Sequence, residues 1–543
     1  MQRQIEQIIS SRFGVETGVV LTRPEPQFGD FATNVALQLA KPLGKNPRQI
    51  AEEIAESLRE SGEFSGVSVA GPGFINLRVG DQALVESARR EIERARLGQR
   101  VVIETNNPNP FKALHIGHAF NAIIADTMAN LLEVDGADVH RVSYHGDVGA
   151  HVGKSMYSLL KFVDGDIGRL EQIAPEDRNT FMSQMYAEGA KAYREDEVAR
   201  EEIVQLARQS FVLNDELYRQ VYTICKRWSF DEIDRVMRRI GNQPIEKRYL
   251  ESQADIKGVP IVQTNVPGVF RKSEGALIFP GSQYGSFDNA FVTSQGLGLY
   301  GARDLGLMML KHDDFQADKS YIVTAEEQRD YFKGVIKAAE LCLPELKDVT
   351  VNISTGTVKL TTGKMSSRDG DVVQINWLFD QVAEAIRSRG GEPNPDVVSG
   401  ALRYQFLRVR VGSDVVFDVN DAVSLTGNSG PYLQYAHARA SSILRKATVE
   451  ASQELGGLDE SERALMVKLG QYAEIVEVSA RELMPHHLCV YLYELAQQFN
   501  QFYEKSRIIG DDREALRLGV VEIYRDTLAS GLKVLGIIAP DEL

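Results

Sequence analysis

Two histidines with a glycine between them lie where this sequence could bind a phosphate. His115-Ile-Gly117-His118 stands between an Asn/Pro-rich loop, Asn106 to Pro110, and a long amphipathic stretch. At the start of a helix, unpaired backbone N–H groups and the positive end of the helix dipole attract anions. The two imidazoles can hydrogen-bond phosphate oxygens, and Gly117 leaves room for a flat base against the backbone. We therefore expect a nucleotide site here.

The same pair of histidines allows two other interpretations. A His-x-x-His pair can bind zinc, but zinc in proteins takes three or four ligands. Cys225, Cys342 and Cys489 are scattered along the chain without Cys-x-x-Cys spacing, so no thiolate cluster is predicted. Two histidines on a surface could also have no function. The sequence predicts no protein-bound metal ion.

A second polar segment, Thr361 to Asp371, carries groups that suit a triphosphate. Glycines near both of its ends allow such a loop to change conformation. Lys364 supplies a mobile positive charge, and Ser366 and Ser367 supply hydroxyl groups. These groups could close on a triphosphate and stabilise the charge that develops as pyrophosphate leaves. Short Lys/Ser/Gly loops are also common as ordinary solvated turns.

The elements around these residues indicate a nucleotide-binding fold built on a parallel sheet. The β-branched run Val101 to Ile103 is typical of a buried strand, and Val139 to Tyr144 and Tyr321 to Val323 have the pattern of further strands. Ala119 to Glu133 has the pattern of a helix that follows the first strand. Residues from about 155 to 247 are mostly charged and helical, which indicates an insertion between two halves of the fold.

Composition and charge argue against several classes of protein. The chain has 543 residues, 43% of them hydrophobic, which is enough for several domains. No apolar run approaches the length of a membrane span, and the N-terminus lacks the hydrophobic region of a secretory signal. The net charge of −15 argues against broad, non-specific nucleic-acid binding. Together with the scattered cysteines, these features predict a cytoplasmic protein with no membrane partner.

Two boundaries divide the chain into three predicted domains. A charged stretch just before Val101 and a turn-rich segment, Arg389 to Pro395, mark these boundaries. We expect residues 1–97 to form a small α+β domain and residues 98–392 to form a Rossmann-type catalytic domain. Residues 393–543 show helical patterns with few strand runs. The predicted fold class is multidomain α/β with an all-α C-terminal domain.

The histidine motif resembles the HIGH motif of class I aminoacyl-tRNA synthetases. The segment from Lys364 to Ser367 is similar to that family's KMSKS loop, and it follows roughly 250 residues later, in the family's order. The resemblance implies that His115, His118 and Lys364 stabilise the transition state. The residues that it implies for ATP binding are His115, Gly117, His118, Lys364, Met365, Ser366 and Ser367.

Four positions depart from the family's pattern. Ser367 stands where the family usually has a second lysine, and Asp369 stands where the related arginyl form often has one. Phe120 occurs where an arginine often follows the histidine motif, and Val148 replaces the tryptophan of a GDWG string. These departures concern the fine contacts to ATP and to the amino acid.

Longer strings in three regions resemble arginyl-tRNA synthetases in particular. Phe28 to Ala36 and Ala70 to Asn76 resemble that family's N-terminal domain. Thr426 to Arg439 resembles its C-terminal region, and Glu514 to Arg517 resembles the DALR motif that names the anticodon-binding domain. The resemblance spans essentially the whole chain. It implies an arginine–tRNA ligase whose all-α domain binds the anticodon and whose N-terminal domain contacts the tRNA elbow.

The resemblance also implies a pocket for arginine, and the chemistry of the residues agrees with it. A planar guanidinium is best held by carboxylates. Glu104 follows the first strand, where a parallel sheet presents its ligands, and Tyr300 and Asp304 would share one helical face. The residues that the resemblance implies for arginine binding are Glu104, Asn109, His115, Tyr300, Asp304 and Gln328, with Glu327 as the alternative to Gln328. Each of these residues could instead have an ordinary structural role. Glu104 could be a strand-end carboxylate, Tyr300 a half-buried aromatic residue and Asn109 a turn residue, and Asp304 could form a local ion pair with Arg303.

The implied reaction has two steps. The carboxylate of L-arginine attacks the α-phosphate of ATP, which gives arginyl-adenylate and pyrophosphate, with Mg²⁺ accompanying ATP. The arginyl group then passes to the terminal ribose of tRNA(Arg). By resemblance, tRNA is needed for the first step as well, and the enzyme is a monomer.

Aromatic residues in the C-terminal region could stack on the bases of the anticodon loop. Tyr432 and Tyr435 are three apart and Arg439 follows one turn later, so two rings and a cation would lie on one helical face. Aromatic residues at helical spacing more often belong to a hydrophobic core. We assign Phe499, Phe502 and Tyr503 to the core for that reason.

Three other interpretations stay open. A class I synthetase for another amino acid, such as cysteine, would be expected to carry a zinc–thiolate site, which the scattered cysteines do not supply. A small-molecule nucleotidyltransferase would not need a helical domain of about 150 residues after the loop. A non-catalytic tRNA-binding paralogue would fit Ser367, Asp369 and Val148, but it would not fit an intact histidine motif with Lys364.

Overall fold

The computed structural model describes residues 1–361 and 373–543. The first unit is a small α+β domain, as the sequence predicts. Its antiparallel sheet has the strand order β1–β3–β2, and its three helices bury their apolar faces in a core of their own. Its elements are α1 (Gln2–Phe13), β1 (Phe31–Thr33), α2 (Val35–Leu43), α3 (Pro47–Glu60), β2 (Phe64–Ala70) and β3 (Phe74–Val79), with a 3₁₀ turn at Pro26–Phe28. Helix α4 (Asp81–Ala88) leads into the central body.

The central body is built on a five-stranded parallel sheet in the order β11–β10–β4–β5–β6. The strands are β4 (Arg100–Asn106), β5 (Asp138–His145), β6 (Lys247–Leu250), β10 (Lys319–Ala325) and β11 (Thr350–Thr355). Six of the seven residues of β4 are buried, as expected for a strand that is covered on both faces. The three strands predicted from the sequence are confirmed, and each extends beyond the predicted run.

Helices cover both faces of this sheet and form the predicted insertion. Five helices stand between β5 and β6, and they have a separate apolar core. The insertion contains α6 (Ala150–Val163), α7 (Gly168–Glu171), α8 (Arg178–Glu195), α9 (Glu197–Val212) and α10 (Glu216–Arg239), with a 3₁₀ turn at Pro175–Asp177. The remaining helices of the central body are α5 (Ile116–Val134), α11 (Glu251–Thr264), α12 (Tyr300–Phe315), α13 (Arg329–Cys342) and α14 (Ile375–Ser388).

A second, antiparallel sheet interrupts the central body between α11 and α12. Its strands are β7 (Arg271–Ser273), β8 (Ala276–Phe279) and β9 (Asn289–Val292), in that order. The sequence analysis does not predict it, because all three strands are short and β7 is fully exposed. Three 3₁₀ turns lie between β8 and β11, at Gly281–Tyr284, Glu326–Gln328 and Pro344–Leu346.

The C-terminal part is helical, apart from one short strand. Its elements are α15 (Pro395–Leu407), β13 (Val415–Phe417), α16 (Val419–Ala422), α17 (Gly430–Lys446), α18 (Glu460–Leu469), α19 (Tyr472–Glu482), α20 (His486–Lys505) and α21 (Glu514–Val534). Strand β13 pairs in parallel with β12 (Val358–Leu360), so the chain returns to the central body after the turn-rich segment. The arginine of the DALR-like string, Arg517, is nearly buried and binds Glu462 of α18, which gives it a structural role in the domain.

A buried arginine joins the C-terminal part to the helix that begins with the histidine motif. Arg403 of α15 donates hydrogen bonds to Asp126 on α5, to Leu535 O after α21, and to Asn242 after the insertion. Both charged side chains are fully buried, and every nitrogen of the guanidinium has a partner. A satisfied buried pair of this kind fixes the elements that it joins, because breaking it leaves an unpaired charge in the core.

Candidate active site

A deep cleft in the central body lies at the carboxyl end of the parallel sheet. It opens between β4 and β10, where the chain order of the strands reverses, and this is where open α/β sheets bind ligands. Its volume is about 580 Å³. The lining includes five of the six residues implied for arginine binding: Glu104, Asn109, Tyr300, Asp304 and Gln328.

Glu104 lies at the end of β4, and protein groups already hold both of its oxygens. Lys311 Nζ lies 2.6 Å from Oε1, and Asn107 Nδ2 donates to Oε2 at 2.6 Å. The Glu104 and Lys311 side chains are 1% and 2% exposed, so solvent barely screens this ion pair. The predicted carboxylate is therefore in the cleft, but it has a cation of its own.

Tyr300 and Asp304 begin helix α12 and share a face, as their spacing predicts. Tyr300 is exposed at the edge of the cleft, whereas Asp304 lies in its wall. Burial raises the pKa of Asp304 to about 7, and the Tyr331 hydroxyl, which donates to Oδ2 at 2.5 Å, opposes that rise. The local ion pair with Arg303 does not form, because Arg303 binds Glu251 at 2.9 Å and Asp255 at 3.2 Å.

Gln328 belongs to a 3₁₀ turn directly after β10, and it contributes to the cleft lining. Glu327, the alternative at this point, is not among the lining residues. In the loop after the neighbouring strand β4, Asn109 Oδ1 accepts a hydrogen bond from the Gly146 N–H at 2.8 Å. A Cβ at Gly146 would lie 2.9 Å from Glu251 Oε1 and 3.0 Å from Asn109 Oδ1, so a larger residue there would have to displace both side chains.

The sequence analysis misses several residues of this lining. Tyr144 and Glu251 follow the same strand-end rule that predicts Glu104, since one ends β5 and the other follows β6. Tyr331 and Asn121 stand on helices without a pattern that separates them from ordinary surface residues. The position at a strand end could have predicted Tyr144 and Glu251. Tyr331 and Asn121 reach the cleft only through the tertiary fold.

Three polar atoms in the lining are buried and have no hydrogen-bond partner among the described residues. They are Thr105 Oγ1, Asn106 Oδ1 and the Tyr144 hydroxyl. Buried polar groups in folded proteins are nearly always paired, so orphaned ones in a cleft are expected to bind a ligand or water there. A bulge between Glu104 and Asn106 turns this end of β4 out of the regular ladder.

The side chain of His118 caps the start of α5, and the His115 ring packs against it. The His115 N–H donates to His118 Nδ1 at 3.2 Å, and the two rings stack with centroids 3.5 Å apart. Burial lowers the pKa of His115 to about 4, and burial with the neighbouring His115 lowers the pKa of His118 well below its usual value. Both imidazoles are therefore neutral at pH 7, and they can donate hydrogen bonds to phosphate without carrying a charge. His118 lines the cleft, and His115 lies behind it.

Lys112 supplies the positive charge that these histidines lack. It is exposed three residues before His115, and its charge contributes to the lowered pKa of both histidines and of His151. The loop that carries it is anchored by Phe111, which is fully buried at φ 62° and stacks on Tyr222 of the insertion. The sequence analysis did not single out Lys112.

The KMSKS-like segment lies outside the described residues, and so do Lys364, Met365, Ser366 and Ser367. The residues that follow it contact the histidine motif. Val373 O accepts a hydrogen bond from the Ile116 N–H, and Gln374 bridges to His115. On the other side, Thr361 bonds Asp418 through its hydroxyl.

A separate groove of about 960 Å³ lies on the helical C-terminal part. Tyr435 and Arg439 of α17 line it, and the Arg439 guanidinium stands 4.9 Å from the centre of the Tyr435 ring. Tyr432 is buried, and its hydroxyl accepts a hydrogen bond from Asn500, so its ring packs inside the domain. Tyr503 is 43% exposed and lines the groove, so its assignment to the core is wrong, whereas Phe499 and Phe502 are fully buried as expected.

The residues that the structure describes contain neither a candidate membrane span nor a cluster of metal-binding side chains. None of their helices combines the length and the apolar composition needed to cross a membrane. Within the same residues, no three His, Cys, Asp or Glu side chains are grouped so that they could hold a metal ion.

Three protein-family models match successive parts of the chain. They describe an arginyl tRNA synthetase N-terminal domain at residues 1–79, a class I (R) tRNA synthetase catalytic domain at 81–418, and a DALR anticodon binding domain at 433–543. The arginine–tRNA ligase of Treponema denticola is 30% identical over 557 residues, which cover 96% of this chain and 93% of that protein. The arginine–tRNA ligase of Cutibacterium acnes is 30% identical over 571 residues, with 98% of each chain covered. The solved Thermus thermophilus arginyl-tRNA synthetase has a TM-score of 0.79 at 25% identity and covers 100% of this chain and 99% of its own.

Proposed function

This chain belongs to the arginyl-tRNA synthetases, and from that membership we propose that the cleft between β4 and β10 is where it activates arginine. The enzyme is an aminoacyl-tRNA ligase that joins arginine to tRNA. One observation carries the assignment of the site. Five residues from three separate segments of the chain, implied by the resemblance for arginine, line a single cleft at the sheet's switch point.

In the first step, a carboxylate oxygen of arginine attacks the α-phosphorus of ATP. The bond from that phosphorus to the bridging oxygen of the β-phosphate breaks, and pyrophosphate leaves with the electron pair. In the second step, a terminal ribose hydroxyl of the tRNA attacks the arginyl carbonyl carbon, and AMP leaves. The protein contributes mainly positioning and charge stabilisation to such transfers.

The charges of the cleft support arginine as the amino acid. Glu104 and Glu251 each have a protein cation within 3 Å, whereas Asp304 has Tyr331 as its hydrogen-bond partner. A guanidinium bound at Asp304 would therefore meet a carboxylate with no cation of its own. We assign Tyr300 to the edge of the arginine site, and we assign Asn109 and Gln328 to the contacts with the rest of the amino acid.

We assign the ATP site to the start of α5. His118 and His115 would donate hydrogen bonds to the phosphates, and Gly117 would allow the base to approach the backbone. Lys112 adds positive charge beside them. The assignments of Lys364, Met365, Ser366 and Ser367 to ATP rest on the resemblance, and they gain support from the contact between Val373 and Ile116.

We propose that Mg²⁺ arrives with ATP. Magnesium keeps several waters and is commonly held by substrate phosphates, so it needs no dedicated protein cage. It would supply positive charge to the phosphates while pyrophosphate leaves. We also propose a cytoplasmic monomer, which light scattering would find near the chain mass of 60.4 kDa.

We assign the anticodon of tRNA(Arg) to the C-terminal groove. Tyr435 and Tyr503 expose their rings there, and Arg439 lies 4.9 Å and 5.7 Å from the two ring centres. Exposed rings beside a guanidinium suit the stacking of unpaired bases. Tyr432 supports this face from within through Asn500, which also accepts a hydrogen bond from Arg439.

The exchange of labelled pyrophosphate into ATP tests the proposal. We expect exchange with arginine but not with cysteine or lysine, measured with and without tRNA to show whether tRNA is needed for the first step. Exchange with another amino acid in place of arginine would overturn the assignment of the pocket. If no amino acid supported exchange in the presence of tRNA, the chain would be a tRNA-binding paralogue without catalysis.

A further inference from the structure

Helix α12 carries a third polar residue, Lys311, on the same stripe as the two that line the arginine cleft. Tyr300, Asp304 and Lys311 stand at positions i, i+4 and i+11, which lie on one stripe of a helix. Leu307, between Asp304 and Lys311 on the same stripe, also lines the cleft. Lys311 itself lies outside the lining and is 2% exposed, so its ammonium reaches the site only through Glu104.

The ion pair between Lys311 and Glu104 decides how much charge the cleft offers to a ligand. Three carboxylates line the cleft, and two of them, Glu104 and Glu251, have a protein cation within 3 Å. Among the residues on either side of the undescribed segment, no lysine or arginine lies within 4 Å of the third, Asp304. One unneutralised carboxylate matches one positive charge on a ligand side chain.

A carboxylate at the position of Glu104 needs such a partner. A buried carboxylate without a nearby cation is strongly disfavoured in its charged form, and it takes up a proton instead. Lys311 supplies that cation at 2.6 Å from one oxygen of Glu104, and Asn107 donates a hydrogen bond to the other oxygen. The side chain is thus held in one orientation before any ligand binds, which lowers the cost of ordering the site.

We propose that Lys311 is a positioning residue for arginine recognition: through its ion pair it fixes Glu104 and leaves Asp304 as the carboxylate that the substrate guanidinium neutralises. This inference rests on the proposed function, since it takes the cleft to be the arginine site. It assigns Lys311 no contact with the substrate. Its effect on the reaction passes entirely through Glu104.

A cycle of three variants tests this role: Lys311→Met, Glu104→Gln and the double variant E104Q/K311M. Methionine keeps the length of the lysine stem without its charge, and the double variant leaves no unpaired charge, so it is the one best able to fold. The measurement is arginine-dependent exchange of pyrophosphate into ATP with tRNA present. We expect K311M to raise the KM for arginine by about tenfold or more, as expected for a misplaced contact group, with the KM for ATP changed less than about twofold.

The double variant distinguishes action through Glu104 from an independent effect. If Lys311 acts through Glu104, E104Q/K311M raises the KM for arginine by the same factor as E104Q alone. If the factors of the two single variants multiply in the double variant, the proposed role of Lys311 is overturned. Equal rises in the KM for arginine and for ATP in K311M, with a lowered Tm, would overturn it too, because that pattern indicates general damage to the fold.

The pH dependence gives a readout that simple packing would not change. In K311M, Glu104 loses its cation, and we expect the pH profile of kcat/KM for arginine to differ from that of the unmodified enzyme, a difference that E104Q/K311M removes. The other titratable groups that face Glu104 are Asp304 on α12, Tyr144 on β5 and Tyr249 on β6. Burial raises the pKa of both tyrosines, so neither titrates near neutral pH.

Exchange by the unmodified enzyme distinguishes a failure of the proposed function from a failure of the role proposed for Lys311. If it shows no arginine-dependent exchange, the proposed function fails, and the role of Lys311 fails with it. If it shows normal exchange, and K311M has an unchanged KM for arginine and an unchanged pH profile, only the role of Lys311 is refuted.

Discussion

The Tyr331 hydroxyl donates a hydrogen bond to Asp304 Oδ2 at 2.5 Å in the wall of the cleft between β4 and β10. Burial raises the pKa of this carboxyl group to about 7, and the charges of Glu251 and Glu104 act in the same direction. The hydrogen bond from Tyr331 and the charge of Lys311 oppose them. Without a ligand, Asp304 is therefore divided between its neutral and charged forms near pH 7, and a bound guanidinium would favour the charged form.

The affinity for arginine should consequently depend on pH through Asp304. Below pH 7 arginine must displace a proton to form its ion pair, so we expect the KM for arginine to rise by about tenfold for each unit of decrease in pH. Above pH 7 the carboxylate is already charged, and the KM should be constant. Exchange kinetics between pH 5.5 and 8.5 would show this. A KM for arginine that stays constant across the range would contradict the assigned role of Asp304.

Replacing Asp304 with asparagine should separate stability from binding. The folded-state pKa lies above the usual value for aspartate, so the stability that protonation provides is fully present below about pH 4 and is lost as the pH rises from there to about 7. Asp304→Asn stays neutral, and we expect its Tm to exceed that of the unmodified enzyme by a margin that grows between about pH 4 and pH 7 and stays constant above that range. The neutral amide should lower kcat/KM for arginine by about 10²-fold or more, because the guanidinium loses its charged partner. The matched control is Asp330→Asn, because Asp330 is exposed and stands next to Tyr331 in the sequence. This control should change neither the pH dependence of Tm nor kcat/KM for arginine.

The two histidines should act as neutral hydrogen-bond donors. Burial lowers the pKa of His115 to about 4 and lowers that of His118 as well, so neither changes charge between pH 6 and 8. We expect His118→Ala to lower kcat for exchange by about 10²-fold to 10³-fold, the usual effect of losing one donor to a developing negative charge. His118→Gln, which retains an N–H donor, should keep more activity than the alanine variant. A fall in the kcat of the unmodified enzyme centred near pH 6.5 would indicate instead that a charged histidine is required.

The sequence predicts the part of the site that depends on local periodicity. The buried run before Glu104 identifies a parallel strand, and the carboxyl end of such a strand is where ligands bind. The spacing of Tyr300 and Asp304 requires one helical face, and α12 provides it. These inferences succeed because strand and helix periods are fixed by backbone geometry.

The partners of these residues could not be predicted, because they are set by contacts between distant parts of the chain. Lys311 meets Glu104 across 207 residues, and Arg303 pairs with Glu251 across 52, although its own neighbour in the sequence is Asp304. The sequence analysis also placed Tyr503 in the core because of its helical spacing. The helix exposes that face to the C-terminal groove, and spacing alone does not say which side of a helix is covered.

Gly146→Ala should weaken arginine binding without unfolding the protein. A Cβ at this position would lie 2.9 Å from Glu251 Oε1 and 3.0 Å from Asn109 Oδ1, so both side chains must move. We expect the KM for arginine to rise by about tenfold, with a smaller change in the KM for ATP and little change in Tm. Gly18→Ala is the control, because nothing lies within 4 Å of a Cβ there. An unchanged KM for arginine in Gly146→Ala would mean that Asn109 and Glu251 do not shape the arginine site.

Tyr435 should contribute to tRNA binding, whereas Tyr432 should contribute to the fold. The Tyr435 ring is 40% exposed beside Arg439, and stacking of one base on an exposed ring is commonly worth about 1–3 kcal/mol. Tyr435→Ala should therefore raise the KM for tRNA(Arg) in aminoacylation by about tenfold, with the KM for ATP unchanged. Tyr284→Ala, which removes an equally exposed ring from the central body, is the control for a general effect of losing an aromatic side chain.

Tyr432→Phe removes only the hydroxyl that binds Asn500, so it should lower Tm slightly and leave the KM for tRNA close to normal. If Tyr435→Ala raised the KM for tRNA(Arg) no more than Tyr284→Ala did, the groove would not be the anticodon site.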